Sequence, residues 1–248
     1  MNRWDIINFF IEKNNYKSYL EIEYYKNWSF NRIICKNKTT VDPNPSKELY
    51  QENPEMYGKC MGETYSDGTF GEIFKMTSDE FFNTEIPYLD EKGNVKSVTL
   101  RKDNSIICRY DIIFIDGLHE RGQVLRDMRN AFTCLNEGGV VIMHDCNPPK
   151  EAHTKEGIDG CWTGDVYKAM LDIRNSPQCD AYVIDTDWGV GVVRPVHELK
   201  KKDITDIEHY NALYDWEYFD HARKQLLGLV DISTFIAKER YNLPVLEL

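Results

Sequence analysis

The run Ile112–Ile115, inside the stretch YDIIFIDG, constrains the fold of this chain more than any other feature. Four consecutive apolar residues without polar alternation suit a strand buried on both faces, which parallel sheets flanked by helices provide. The next stretch, GQVLRDMRNAFTCLNEGG, places Val124, Met128, Ala131, Phe132 and Leu135 on one helical face, and Gly138–Gly139 is expected to end the helix. A second apolar run, VVIMHD, follows at once. Strand, helix and strand in this order point to an α/β chain with a parallel sheet.

The remaining segments extend the pattern. Ser18–Ile22, Thr39–Val41, EIFKM, AYVIDT and GVGVVRP read as strands; residues 3–13 and GDVYKAMLDIR read as helices. Thr77 or Ser78 is placed to cap a helix through Phe82. Residues 85–109 alternate weakly and suggest a hairpin or an excursion before the next strand, whereas 46–71, rich in small and polar residues, suggest an insertion or mobile loop. The expected organisation is one domain over 1–200, with 201–248 as a helical extension packed on it.

With 248 residues, 42% of them apolar, the chain can bury a core without staples. A net charge of -11 disfavours nucleic acid and anionic lipid as partners. No apolar run approaches the roughly 20 residues needed to span a bilayer. The segment Met1–Ile11 carries Asp5 and no small-residue cleavage site, unlike a secretory signal. Seven cysteines without a Cys-x-x-Cys pair suit a reduced, cytoplasmic protein.

In parallel sheets, ligands bind outside the carboxyl ends of the strands. Glu21 and Glu23 stand at the end of the first strand, and Asp42 ends the second, about twenty residues on. A carboxylate at that spacing can accept ribose hydroxyls, or it can be a solvated turn aspartate before Pro43; spacing alone does not separate the two. Asp116 and His119 follow one later strand, and His144, Asp145, Cys146 and Asn147 follow the next. Two histidines and two aspartates at adjacent strand ends are candidates for acid–base chemistry.

The stretches VDPNP, MTSDEFF, YDIIFIDGLHERGQVLRDMRNAFTCLNEGGVVIMHDCNP, WTGDVYKAMLDIR and VIDTDWGVGVV together resemble class I S-adenosylmethionine-dependent methyltransferases. They are most similar to the small methyltransferases found among bacterial surface-polysaccharide biosynthesis enzymes. The similarity runs from about Asn2 to Arg194. It implies a Rossmann-like, seven-stranded, mostly parallel sheet with helices on both faces, its last strand antiparallel, followed here by the C-terminal helical tail.

For the cofactor, S-adenosyl-L-methionine, the resemblance implies that Glu21, Glu23 and Tyr24 hold the methionine end and Asp42 the ribose. Thr77, Ser78 and Asp79 lie beside the adenine, and Asp116 near the sulfonium. A divalent metal at Asp116, His119 and Asp145 is allowed but not expected, because Cys146 stands where an amide or acid would serve better. The implied acceptor is a small carbohydrate, methylated on a hydroxyl in capsule biosynthesis, with an amine or a phosphate-linked group left open; a homodimer is compatible with the sequence. His119 or His144 is expected to act as base with Asp145 fixing a ring, His119 ranking first, and Trp162, Trp188 and Tyr182 are aromatics that could stack on a sugar or simply pack.

One departure stands out. The class places glycines in the turn after the first strand, at positions that Glu23, Tyr25 and Asn27 occupy here. Glycine serves there because a β-carbon opposes positive φ and close backbone approach. The rival expectation is therefore an inactive, methyltransferase-like partner protein. A dinucleotide oxidoreductase is disfavoured, since no Gly-x-Gly-x-x-Gly follows a strand.

Overall fold

The computed structural model describes residues 1–24, 29–35, 37–45, 51–52, 59–61, 70–83, 85–89, 95–99, 109–156, 161–196 and 214–241. The chain forms two compact units: a first of residues 6–117 and 126–141, and a second of 1–5, 118–125 and 142–248. In chain order the elements are α1 (Arg3–Asn14), β1 (Ser18–Ile22), β2 (Asn37–Val41), β3 (Gln51–Glu52), β4 (Lys59–Met61), β5 (Phe70–Phe74) and α2 (Ser78–Asn83). There follow β6 (Glu85–Leu89), β7 (Val95–Thr99), β8 (Tyr110–Ile115), α3 (Arg121–Cys134) and β9 (Leu135–Met143). The last elements are α4 (Val166–Asn175), β10 (Cys179–Ile184), β11 (Val190–Pro195), α5 (Trp216–Leu227), β12 (Leu229–Val230) and α6 (Ile232–Tyr241).

In the first unit the strand order is β9-β8-β1-β2-β5-β4-β3. Strand β1 pairs in parallel with β2 and β8, and β2 pairs in parallel with β5. Ile112, Ile113 and Phe114 are fully buried, as their unbroken apolar run requires. Ile6, Ile7, Phe10 and Ile11 give α1 its buried stripe.

Register positions the strand ends. Ile22 lies opposite both Val41 and Ile115, and Val41 lies opposite Phe74. The next residues therefore leave the sheet side by side, linked by backbone hydrogen bonds. Asp116 N–H donates to Ile22 O at 3.1 Å, Glu23 N–H to Val41 O at 2.8 Å, and Asp42 N–H to Phe74 O at 3.0 Å.

One expectation needs correction. Leu135 fits the helical face of α3, yet the helix ends at Cys134 and β9 begins there, before Gly138–Gly139. Polar neighbours capture this segment: Arg109 donates to Leu135 O at 3.2 Å, Asn136 to Asp111 Oδ1 at 2.6 Å, and Tyr16 OH to Gly138 O at 2.6 Å. A β-carbon on Gly139 would lie 2.8 Å from Asp111 O, so this glycine serves close packing and not a helix cap. Within 46–71, read as an insertion or mobile loop, β3 and β4 form an antiparallel pair that continues onto β5; the rest of that segment lies outside the described residues. The hairpin expected beyond residue 85 is present as β6 and β7.

The second unit has the order β12-β10-β11-β9, with β9 contributing Ile142 and Met143. Strands β10 and β11 are antiparallel. Together, β5, β2, β1, β8 and β9 in one unit and β11 and β10 in the other supply the seven expected strands of a Rossmann-like α/β fold. Helix α4 packs on β10 through a buried face that includes Ala169, Met170 and Ile173.

The C-terminal helices begin and end by sequence-readable devices. Asp215 caps α5 by accepting from Tyr218 N–H at 3.0 Å, and Gly228 closes it in the left-handed conformation at φ 55. On α6, the buried carboxylate of Glu239 accepts from Tyr182 OH and from Arg194, each at 2.8 Å. Tyr182 is thus a core residue and not a sugar platform. Among the described residues, no helix is long and apolar enough to cross a membrane.

Candidate active site

Two clusters carry the candidate residues, one in each unit. In the first, Glu21 is buried and accepts from Tyr19 OH at 2.5 Å. Burial, followed by the charges of Glu21 and Asp116, raises the Tyr19 hydroxyl well above 10, so it remains a donor. Asp42 is buried at the end of β2, where Oδ2 accepts from Tyr24 N–H at 3.0 Å and Oδ1 from Asn44 N–H at 2.6 Å. An ionised carboxylate offers about four acceptor sites, the chemistry that ribose hydroxyls require.

Tyr24 serves through its backbone; its side chain is buried edge-on against Phe30 at 5.7 Å. Thr77 caps α2: its Oγ1 accepts from Glu80 N–H at 3.2 Å, while its own N–H and hydroxyl donate to Glu80 Oε2 at 2.8 and 2.9 Å. Ser78 is the first helical residue, and Asp79 pairs with Arg126 at 3.4 Å.

The turn after β1 decides whether such a site can form without glycine. Glu23 has φ 90, a conformation that L-residues rarely adopt. The backbone keeps at Glu23 the positive φ that the class reserves for glycine. Tyr25, Asn27 and the remaining turn residues lie outside the described set.

In the second unit, His119, His144 and Asp145 meet. Asp145 follows β9 at φ 58, which aspartate tolerates better than most residues. Its Oδ2 lies 3.3 Å from His119 Nε2 and its Oδ1 lies 3.3 Å from His144 Nδ1. The hydrogen-bond partners assign the tautomers. His119 Nδ1 lies 2.6 Å from Trp162 O, which only accepts, so Nδ1 carries a proton. In a neutral ring, Nε2 then presents a lone pair to a carboxylate. One proton between them makes a charge-assisted hydrogen bond. The His119–Asp145 pair is a place for a proton to go.

His144 differs. Its Nε2 lies 2.8 Å from an Arg3 guanidinium nitrogen, which only donates, so Nε2 accepts and Nδ1–H faces Asp145. Both ring nitrogens are engaged within a buried network.

Arg3 and Asp187, neither singled out in the sequence, complete that network. The Arg3 backbone N–H donates to Asp187 at 2.8 Å, and the guanidinium reaches both carboxylate oxygens at 3.1 and 3.2 Å. Burial opposes the Asp187 charge, but the Arg3 backbone N–H and the Arg3 charge beside it outweigh it and hold this carboxyl at about 2. The Arg3 contacts are the closer ones, since the His144 ring is 3.7 Å away. A separation of 184 residues hides the Arg3–Asp187 pair from sequence reading.

Gly164, in the WTGDVY stretch, fixes His119. A β-carbon there, at φ 57, would stand 1.9 Å from His119 O. The same corner brings Asp165 N–H onto His119 O at 3.1 Å and Arg121 N–H onto Asp165 Oδ1 at 2.5 Å. His119 and Trp162, their ring centroids 5.2 Å apart, line a cavity of about 680 Å³. Trp188 instead packs edge-on against His153 at 5.1 Å.

Residues 29–146 match the family described as Methyltransferase domain, a stretch that contains Asp42, Thr77, Asp116, His119 and Asp145. No curated protein matches the sequence. Among solved structures, the chain is similar to the S-adenosylhomocysteine-bound methyltransferase PaMTH1 of Podospora anserina, with 13% identity, 78% of each chain covered and a TM-score of 0.49. It is similar to the O-methyltransferase of Bacillus cereus in complex with S-adenosylhomocysteine, with 11% identity, 78% of this chain and 80% of that one covered, and a TM-score of 0.46. It is also similar to the O-methyltransferase TomG of Streptomyces achromogenes, involved in Tomaymycin synthesis and solved with S-adenosylmethionine. There the identity is 11%, the coverage 78% of this chain and 79% of that one, and the TM-score 0.47.

Proposed function

We propose that this protein is an S-adenosylmethionine-dependent O-methyltransferase acting on a sugar or sugar-derived hydroxyl in surface-polysaccharide biosynthesis. The methyltransferase-domain match supports the activity, and the sequence resemblance suggests the acceptor. The observation that carries the reading is the positive φ of Glu23, level with Asp42 and Asp116 at the parallel strand ends. A positive φ at Glu23 supports the cofactor reading, because it is the conformation for which glycine serves at that position.

Glu21 and the Glu23–Tyr24 turn would hold the methionine end, Asp42 the ribose, Thr77 and Ser78 the adenine side, and Asp116 the neighbourhood of the sulfonium. Bound there, the cofactor supplies an already activated methyl group. The remaining task is to orient a hydroxyl and take its proton. His119 and Asp145 receive that proton between Nε2 and Oδ2. His144, held by Arg3, keeps Asp145 oriented.

Titration calorimetry with S-adenosylhomocysteine tests the reading. Asp42→Ala should weaken binding by about 1–3 kcal/mol through lost charge-assisted hydrogen bonds. Unchanged affinity would remove Asp42 from the cofactor site, and no binding by the unaltered chain would favour a non-enzymatic partner protein.

A further inference from the structure

The cavity beside His119 has a lining rich in acidic and aromatic residues. Among the described residues, Glu120, Glu151, Glu156, Asp165, Asp215 and Glu217 lie along its wall with Lys155 and Lys168; Asp165 and Asp215 also accept from the backbone N–H groups of Arg121 and Tyr218. Lys155 is paired with Glu151 at 3.0 Å, and the Lys168 ammonium lies 5.7 Å from the centroid of the Tyr167 ring. Trp162, Tyr214 and Trp216 add aromatic surface to the same wall. Aromatic faces and carboxylates both attract a cation, and the Tyr214 and Trp216 rings already carry Arg121 and Arg223 at 4.7 and 5.5 Å; a phosphate would meet repulsion from a wall whose described residues are mostly acidic.

We propose that this cavity is the acceptor site and takes an amine-bearing, phosphate-free sugar or polyol. The assignment rests on the methyltransferase reading for its catalytic meaning, but the charge preference can be measured without it. The field is felt inside the wall: burial first, then the charges of Asp165, Glu151 and Asp215, raise the Tyr167 hydroxyl to about 12. The amine serves for recognition. Held among carboxylates it stays protonated and has no lone pair, so a hydroxyl is the group left to react beside His119.

Tryptophan fluorescence tests the assignment, since Trp162 and Trp216 line the cavity. The probes are methyl glucosaminide, methyl glucoside and glucose 6-phosphate. The ammonium-bearing probe should bind at least about tenfold tighter than the neutral one, a difference of roughly 1.4 kcal/mol. The phosphate should show no saturable binding. The double variant Glu120→Gln/Glu217→Gln should lower the ammonium preference several-fold and leave S-adenosylhomocysteine affinity unchanged. Equal binding of the ammonium and neutral probes, saturable phosphate binding, or no saturation by any probe overturns the proposal. If the probes discriminate but S-adenosylhomocysteine does not bind, the charge assignment stands and the methyltransferase reading falls.

Discussion

Glu23 and Gly164 occupy backbone positions of the same unusual kind, and only one of them is glycine. Glu23 has φ 90 and Gly164 has φ 57. At Gly164 the limit is a contact, because a β-carbon would overlap the His119 carbonyl at 1.9 Å. At Glu23 a residue with a β-carbon stands at φ 90, an unfavourable dihedral that costs about 1–3 kcal/mol. A missing glycine therefore has two meanings. Where a contact demands glycine, substitution rebuilds the site; where only φ does, the fold can absorb it.

The largest effect is expected where the contact is. Gly164→Ala should destabilise the protein by about 3 kcal/mol, from overpacking and left-handed strain, and should displace His119. Urea unfolding measures this loss. A change below about 0.5 kcal/mol would show that the corner relaxes freely and would erase the distinction from Glu23.

The two histidines sharpen it next. His119→Ala should lower turnover by about a hundredfold or more while leaving cofactor affinity nearly unchanged, as expected for a proton acceptor. His144→Ala should have the smaller effect on turnover, since its ring nitrogens face Arg3 and Asp145. The reverse ranking would move the base to His144.

Asp187 provides a pH signature in the same unit. Its folded carboxyl lies at about 2 against an ordinary 3.8. A lowered folded value means that the stabilisation is present above the ordinary value and is lost as pH falls through the folded one. Asp187→Asn should therefore cost on the order of 2 kcal/mol at pH 7, and the gap from the unaltered chain should close between about pH 4 and pH 2. A gap independent of pH would point to packing and not to charge.

What the sequence disclosed follows from the range of the forces involved. Ile112–Ile115 announced a doubly buried strand because apolar continuity is local, and Asp215 and Gly228 mark the ends of α5 by local hydrogen bonding and φ. The α3–β9 boundary was misread because Leu135 satisfies the helical periodicity, while the groups that extend the chain there come from Arg109, Asp111 and Tyr16. For the candidate site, the sequence pointed to Asp42, Asp116, His119 and Asp145 as residues that follow strands, and they follow β2, β8 and β9. Arg3 was invisible because its partners lie 141 and 184 residues away. The φ of Glu23 could not be read from residue type, which argued for the opposite conformation.

The smallest stability change is expected at Glu23, and the same substitution tests the central claim. Glu23→Gly relieves the dihedral strain and should raise stability by about 1 kcal/mol. Titrating both proteins with S-adenosylhomocysteine is the direct measurement. The prediction is that the unaltered chain binds and that Glu23→Gly binds up to roughly tenfold tighter, about 1.4 kcal/mol. Weaker binding by the variant would make Glu23 a ligand. Binding by the variant alone would contradict the account, showing that the turn's shape at Glu23 does not suffice to hold the cofactor.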